Sequence, residues 1–264
     1  MKFDVLHEFR SHLEGKYGEN TAKKYYFAVK GMLTDMQFDS VNQIKPEEIE
    51  RRMSGLKTRN DFSAAKRGLL ELQDCFPDLE LPGSDFFTEA SGSKRNYRKR
   101  SFEPLQLDSV KRKINAIQDR RLKLAYRLML ASGVRVSEAA ELAFWDISFS
   151  ENGIEVHVRN GKGGKSRVIG GIRDKYLERE LPEFMADAKG SEDKLFYSAS
   201  HMEHEATALG FECHDLRRAF AKAYITRQKQ EASDICTAKG NLMIAMGHDN
   251  WRTTKRYLAR KIVE

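Results

Sequence analysis

Cysteine is scarce in this chain. Cys75, Cys213 and Cys236 are an odd number among 264 residues and have no paired spacing. That excludes a disulfide framework and points to a reduced, cytosolic protein. There is no run of about 18 apolar residues, so no membrane span is expected. Met1-Lys2-Phe3-Asp4 turns polar too soon for a signal peptide. Internal repeats and low-complexity tracts are missing, and so is a phosphate-binding nucleotide loop. Gly164-Lys165-Ser166 has the ending of such a loop, but Arg159 stands where the pattern requires glycine. The setting there is also a hairpin rather than a strand leading into a helix. His201, His204, Cys213 and His214 cluster in sequence without Cys-x-x-Cys or His-x-x-x-His spacing, so no metal site is expected.

What is present is an ordinary globular composition, 40% hydrophobic, with a formal charge of +7. The sequence pI near 9.2 leans toward a polyanionic partner, although solubility alone would account for the charge. Its placement says more. Residues 94–100, Lys94-Arg95-Asn96-Tyr97-Arg98-Lys99-Arg100, hold five basic residues and no acid. Leu81-Pro82-Gly83-Ser84 and Ser91-Gly92-Ser93 precede the run and mark a linker. A tether needs no such concentration of charge, so Lys94, Arg95, Arg98, Lys99 and Arg100 are expected to follow a phosphate backbone.

The linker, residues 91–102, separates a first domain, 1–90, from a second, 103–264. Four helices are expected in the first. One carries Phe3, Leu6, Phe9 and Leu13 and ends at Gly15; one is capped by Asn20; one starts at Pro46-Glu47-Glu48; one runs from about Thr58 to Cys75. No catalytic constellation is found there. In the second domain Asp108 is a plausible cap for a helix through Ile117, and another helix covers Arg121 to Ala131. Residues 154–159 alternate as a strand, 160–165 turn with three glycines around lysine, and 166–170 return. Helices are expected over 174–189, from His214 to Gln228, over 241–246 and around Tyr257, with a polar loop over 228–240.

Four short stretches of the second domain carry chemistry. Arg135 lies in an apolar junction between helices, with Glu138 three residues on. A buried arginine is costly unless paired or given an anion, and a structural Arg–Glu pair is the plainer reading of that stretch alone. Lys162 and Lys165 sit at the glycine-rich hairpin tip. His214 and Arg217, three apart, share a helix face, and His248 precedes Tyr257 by nine residues. Taken singly, Tyr257 reads as a core residue, His214 as a helix cap, Cys213 as packing, and Trp251 as core or a lid over His248.

In this order, Arg135 with Glu138, Lys162, His214-x-x-Arg217, and His248 with Tyr257 resemble the tyrosine recombinases, the phage integrases and Xer-type enzymes. The resemblance covers residues 103–258 by motif and 1–90 by architecture only. It implies a mainly α fold with a small antiparallel β-sheet in the catalytic domain. It also implies a two-domain DNA clamp whose first part is a helical core-binding domain. By resemblance Arg135 and Arg217 grip the scissile phosphate, Lys162 protonates the leaving oxygen, and His214 and His248 fill the two histidine positions. Tyr257 is the nucleophile and Glu138 supports the first arginine. The implied reaction breaks and rejoins DNA through a 3′-phosphotyrosine, with no cofactor, metal or ATP. The implied partners are double-stranded DNA, a homotetramer on synapsed sites, and accessory DNA-bending or directionality factors, in the cytoplasm at the nucleoid.

Two departures stand out. The segment before Gly247 is longer and more polar than usual, and only seven residues follow Tyr257. Subunit contacts are therefore expected from the N-terminal helices or that polar segment rather than from a docking C-terminal helix. The competing readings are a type IB topoisomerase-like enzyme and a DNA-binding regulator that has lost catalysis.

Overall fold

The computed structural model describes residues 2–94, 103–161, 163–187, 194–230 and 234–263. The chain divides into two compact units, residues 1–101 and 102–264. In the first, α1 (Lys2–Lys16), α2 (Glu19–Leu33), α3 (Pro46–Gly55), α4 (Arg59–Cys75) and α5 (Ser84–Ser93) enclose one core. Phe9, Leu13, Val29, Met53, Phe62, Leu69 and Leu72 are buried in it. The start of α4 follows from Thr58, whose Oγ1 accepts a hydrogen bond from the Asp61 N–H at 3.1 Å. Pro46 opens α3 with Glu47 and Glu48 in its first turn, as expected.

Two expectations are corrected in this unit. Residue 18, a glycine, caps α2, and Asn20 lies inside the first turn. Residues 84–93 form a fifth helix where four were expected, and the stretch from 91 expected as a linker starts in the last turn of α5. The Ser and Gly content suggests a break, but Phe87 is buried against the core and tertiary packing overrides the weak local propensity.

The second unit begins with β1 (Leu105–Gln106) and α6 (Leu107–Ala116), followed by α7 (Arg120–Ser132) and α8 (Val136–Glu141). Next come β2 (Ile147–Ser150), β3 (Gly153–Val158) and β4 (Arg167–Ile172). They form one antiparallel sheet in the order β2-β3-β4, with Val156 paired to Ile147 on one side and Ile169 on the other. Ile154, Val156 and Val158 alternate inward, as a half-buried strand requires. Then follow α9 (Lys175–Asp187), α10 (Ala199–Ala208), α11 (Cys213–Gln230), α12 (Ile235–Met246), α13 (Trp251–Leu258) and β5 (Ile262–Val263). α11 packs along α7, burying Leu124, Leu128 and Leu216. Among the described residues, no helix is long and apolar enough to cross a membrane.

Here too the structure departs from the sequence reading. Asp108 lies in the first turn of α6, which is capped at Gln106. Most of the expected polar loop is helix: α11 reaches Gln230, and α12 starts at Ile235, with Asp234 accepting the Thr237 N–H at 2.9 Å. Lys, Gln and Ala suit a helix as well as a loop, and polarity hid the periodicity. Strand β5 pairs in parallel with β1, Leu105 opposite Ile262, so the residues after Tyr257 close onto the start of their own unit.

Candidate active site

Six elements converge on one charged surface. Gly133 ends α7 in the left-handed conformation, φ +70°. A Cβ at that position would lie 2.2 Å from the Phe220 ring, so only glycine fits the turn. Directly after it, Arg135 opens α8. Its Nη1 donates to Glu138 Oε1 at 2.5 Å, and its backbone N–H to Oε2 at 2.8 Å. The Arg–Glu pairing read as the plainer alternative is therefore present. It does not neutralise the site, because Arg167 also donates to both oxygens of Glu138. Burial pushes the Glu138 carboxyl up, but the Arg167 hydrogen bonds, the Arg135 N–H and both charges overcome it and hold it at about 2.

Arg217 projects from α11 and is 1% exposed. Its Nη1 donates to the Gly133 carbonyl and its Nη2 to the Met246 carbonyl. Nη2 also approaches His248 Nε2 at 3.2 Å, while Nε has no hydrogen-bond partner. Burial, then the Arg135 charge, lower its pKa to about 10, so it stays cationic at neutral pH. Among the described residues its direct partners are carbonyls and an imidazole, with no carboxylate. Three guanidiniums, Arg135, Arg167 and Arg217, thus stand against one carboxylate, an arrangement that calls for an anion.

The histidines are held neutral. Burial, then Arg217, Arg135 and Arg167, lower His248 to about 4. Arginine only donates, so Nε2 must be the acceptor from Arg217, and Nδ1–H donates to Thr254 Oγ1 at 2.9 Å. Arg217 thereby sets the tautomer, and Thr254, fully buried in α13, accepts from Nδ1–H and holds the ring in place. His214, in the first turn of α11, keeps a solvent-accessible edge. The burial of the rest of its ring, then Arg218 and Arg217, lower its pKa. Tyr257 comes from the same helix as Thr254, one turn on. Its hydroxyl lies 3.4 Å from His214 Nε2, and its ring is 5.2 Å from the His248 ring, centre to centre. The Arg217 guanidinium sits 5.3 Å from the Tyr257 ring centre. A phenol facing a neutral imidazole beside a buried cation can give up its proton and attack an anionic centre.

The structure brings Arg135, Glu138, His214, Arg217, His248 and Tyr257 to this surface. Lys162 lies outside the described residues, as do Arg95, Arg98, Lys99 and Arg100. The two remaining candidates for DNA contact have partners of their own. Lys94 Nζ donates to the Ser54 carbonyl at 2.6 Å. Lys165 pairs with Asp249, whose carboxyl it holds below the usual range. Trp251, the first residue of α13, is partly buried against the small cluster that includes Leu242 and Met246, which favours the core reading. A groove of about 620 Å³, lined by Val168, Phe220, Tyr224 and Ile244, holds none of the catalytic candidates.

Sequence reasoning missed Arg167, Thr254 and Asp215. The last is buried and takes hydrogen bonds from Arg218 at 2.6 Å and from Arg260, which fastens the residues after α13 to the start of α11. Their residue types carry no local signal, because arginine at a strand start and threonine in a helix are ordinary surface residues until folded.

The second unit thus gathers three arginines, two histidines and a tyrosine on one surface of a mainly helical fold with a small antiparallel sheet. Residues 103–262 match the phage integrase family, and the chain belongs to it, as a tyrosine-type site-specific recombinase. A tyrosine recombinase of Thermosipho africanus is 25% identical, covering 97% of this chain and 93% of its own. The tyrosine recombinase XerA of Pyrococcus horikoshii is 26% identical, over 96% of this chain and 88% of its own. Among solved structures, the Tn1549 transposon integrase with a circular intermediate DNA shares the fold, with a TM-score of 0.64 at 16% identity. That match covers 97% of this chain and 95% of the integrase. A lambda integrase dimer bound to a core site shares the fold at a TM-score of 0.58 and 18% identity, over 99% and 98% of the two chains.

Proposed function

We propose that this recombinase cleaves and rejoins duplex DNA through a 3′-phosphotyrosine on Tyr257, needing neither metal nor ATP. One observation carries the proposal: the Tyr257 hydroxyl faces His214 while Arg217, buried and without a carboxylate partner, lies beside the ring. Attack by the phenol oxygen forms the Tyr257 O–P bond and breaks the bond from phosphorus to the 5′ oxygen. His214 takes the phenol proton. Lys162 gives a proton to the departing 5′ oxygen. Arg135 and Arg217 hold the non-bridging oxygens, whose charge grows in the transition state; losing such a donor costs about 3–4 kcal/mol. The guanidiniums and the lysine thereby supply the positive charge that a metal ion supplies elsewhere. The covalent link conserves the bond energy, so another strand's 5′ hydroxyl can reverse the step and complete an exchange.

In this reading residues 1–90 form a core-binding domain, 91–102 a basic connection along the backbone, and 103–264 the catalytic half of a clamp. Lys94, Arg95, Arg98, Lys99, Arg100 and Lys165 contact phosphates. Exchange between two sites requires four protomers on the synapsed DNA, with accessory DNA-bending or directionality factors where one direction prevails.

The test is covalent trapping on nicked duplexes randomised around the nick. The short 5′ fragment diffuses away, so a cleaved complex cannot religate. Wild type is expected to form a denaturant-stable adduct and Tyr257→Phe none. Intact DNA binding without an adduct would leave a non-catalytic regulator. Relaxation of supercoils without joining of two sites would leave a topoisomerase-like enzyme.

A further inference from the structure

Arg167 has no part in the scheme above, yet it joins the Glu138 carboxylate, which also holds Arg135, to the end of α12. It opens β4, just after the hairpin that carries Lys162, and its side chain is 7% exposed. Its Nη1 donates to Glu138 Oε1 at 3.0 Å, its Nη2 to Oε2 at 2.7 Å, and its Nε to the Ala245 carbonyl at 2.9 Å. The guanidinium is thus fixed in plane on one carboxylate and on the end of α12. Two glycines lie against it. A Cβ on Gly161 would sit 3.1 Å from Nη1, 3.3 Å from Glu138 Oε1 and 2.7 Å from the Lys165 carbonyl. A Cβ on Gly247 would sit 3.0 Å from Nη1. Gly161 immediately precedes Lys162, and Gly247 immediately precedes His248.

The neck of the hairpin is closed by Gly161 N–H donating to the Lys165 carbonyl at 2.8 Å and Gly164 N–H to the Gly161 carbonyl at 2.9 Å. That closed neck rests on the Arg167–Glu138 pair. We propose that Arg167 is a positioning residue for strand cleavage, seating the hairpin so that Lys162 reaches the leaving oxygen. This rests on the reading of Lys162 as the proton donor given above. The fork is what matters: a lysine keeps the charge but cannot hold both oxygens of Glu138 and the Ala245 carbonyl from one plane. Arg135 keeps its own two contacts with Glu138 when Arg167 is changed, whereas the hairpin loses the surface it rests on. The defect therefore belongs at the leaving group rather than at the grip on the phosphate.

The chemistry of the leaving group gives a clean readout. In the natural substrate the 5′ oxygen needs a proton as its bond to phosphorus breaks. With sulfur in that bridging position the leaving group departs as a thiolate and needs none. Single-turnover adduct formation is measured on a nicked duplex recovered by the trapping experiment, made with bridging oxygen or bridging sulfur. Four proteins are compared: wild type, Lys162→Ala, Arg167→Lys and Gly161→Ala. The last disturbs the contact from the hairpin side and leaves the buried ion pair in place.

On oxygen, Arg167→Lys and Gly161→Ala are expected to be slower by about tenfold or more, with the 10²–10⁴-fold that a proton donor contributes as the upper bound. On sulfur both are expected to return close to wild type, alongside Lys162→Ala. Two results overturn the proposal: a variant that cleaves the oxygen substrate like wild type, or one equally impaired on both substrates. If Arg167→Lys does not fold, Arg167→Gln is measured in its place, because the Cβ of Gly161→Ala also meets the Lys165 carbonyl at 2.7 Å and disturbs the hairpin by itself. Failure of Lys162→Ala to recover on sulfur would instead overturn the assignment of Lys162, a result distinguishable from failure of Arg167.

Discussion

At the scale of single residues, the state of His248 follows from its two partners. Arg217 offers only protons, so Nε2 is an acceptor and the ring's one proton lies on Nδ1, facing Thr254. In the free protein His248 therefore cannot donate to a phosphate. Nitrogen-15 spectra of the DNA-free protein between pH 5 and 8 are expected to show a neutral His248 protonated on Nδ1, and a ring protonated on Nε2 would refute this. The same geometry sets a pH dependence. The folded pKa of about 4 lies below the ordinary value of 6.5. As pH falls through that window the unfolded chain takes up a proton that the folded one refuses, so stability is lost. Thermal unfolding of the DNA-free protein from pH 7 to pH 5 is expected to show that loss, and His248→Asn to reduce it. An unchanged slope in the variant would assign the loss elsewhere. A bound phosphate near Nε2 reverses the balance, favouring the charged ring and turning it into a donor.

At the scale of elements, the site depends on where helices stop. α7 ends at Gly133 and α12 at Gly247, both left-handed, and the two ends present to Arg217 the carbonyls of Gly133 and Met246. Gly133→Ala adds a Cβ both in a disfavoured backbone region and 2.2 Å from Phe220. The backbone penalty is about 1–2 kcal/mol and the forced repacking about 1–3 kcal/mol. Calorimetry is expected to find a loss on the order of 2–4 kcal/mol, and a variant as stable as wild type would mean that Phe220 moves freely. The breaks at Gly133 and Gly247, the hairpin and the order of charged residues were legible in sequence, since each is a local pattern with one physical cause. The break expected at Gly15 was not found, because α1 runs on to Lys16. Helix α5 and the first half of α12 were not, because packing of Phe87 and Ala238 decides them rather than propensity. Strand β5 was hidden for a similar reason: two residues carry no periodicity, and its partner β1 is more than 150 residues away in sequence. Within the candidate site, the residues that the structure brings together were readable, and the neighbours that hold them were not. Arg135 and Tyr257 announce themselves by type and spacing, whereas Arg167 and Thr254 matter only for what folding places beside them.

At the scale of the whole molecule, a formal charge of +7 is compatible with any binding mode, and the charge carries information only through its location. Several basic side chains described in the first unit are paired locally: Lys16 with Glu71 and Asp74, Arg51 and Arg52 with Glu48, Arg67 with Glu71. Such pairs cancel at a distance and release few counterions on binding DNA. The run from Lys94 to Arg100 contains no acid to cancel its five charges, although Lys94 already donates to the Ser54 carbonyl. If the run follows the backbone, it accounts for a disproportionate share of the salt dependence, since each phosphate neutralised contributes about −0.9 to the slope of log K against log salt. Replacing Arg95, Arg98, Lys99 and Arg100 together by glutamine is expected to make that slope shallower by about 3–4 and to weaken binding to all sequences alike. A slope unchanged by all four substitutions would reduce the run to a solvated tether and shift phosphate contact onto the two compact units. A change confined to one sequence would be more unexpected, because it would mean that the run reads bases, a task that phosphate contacts alone cannot perform.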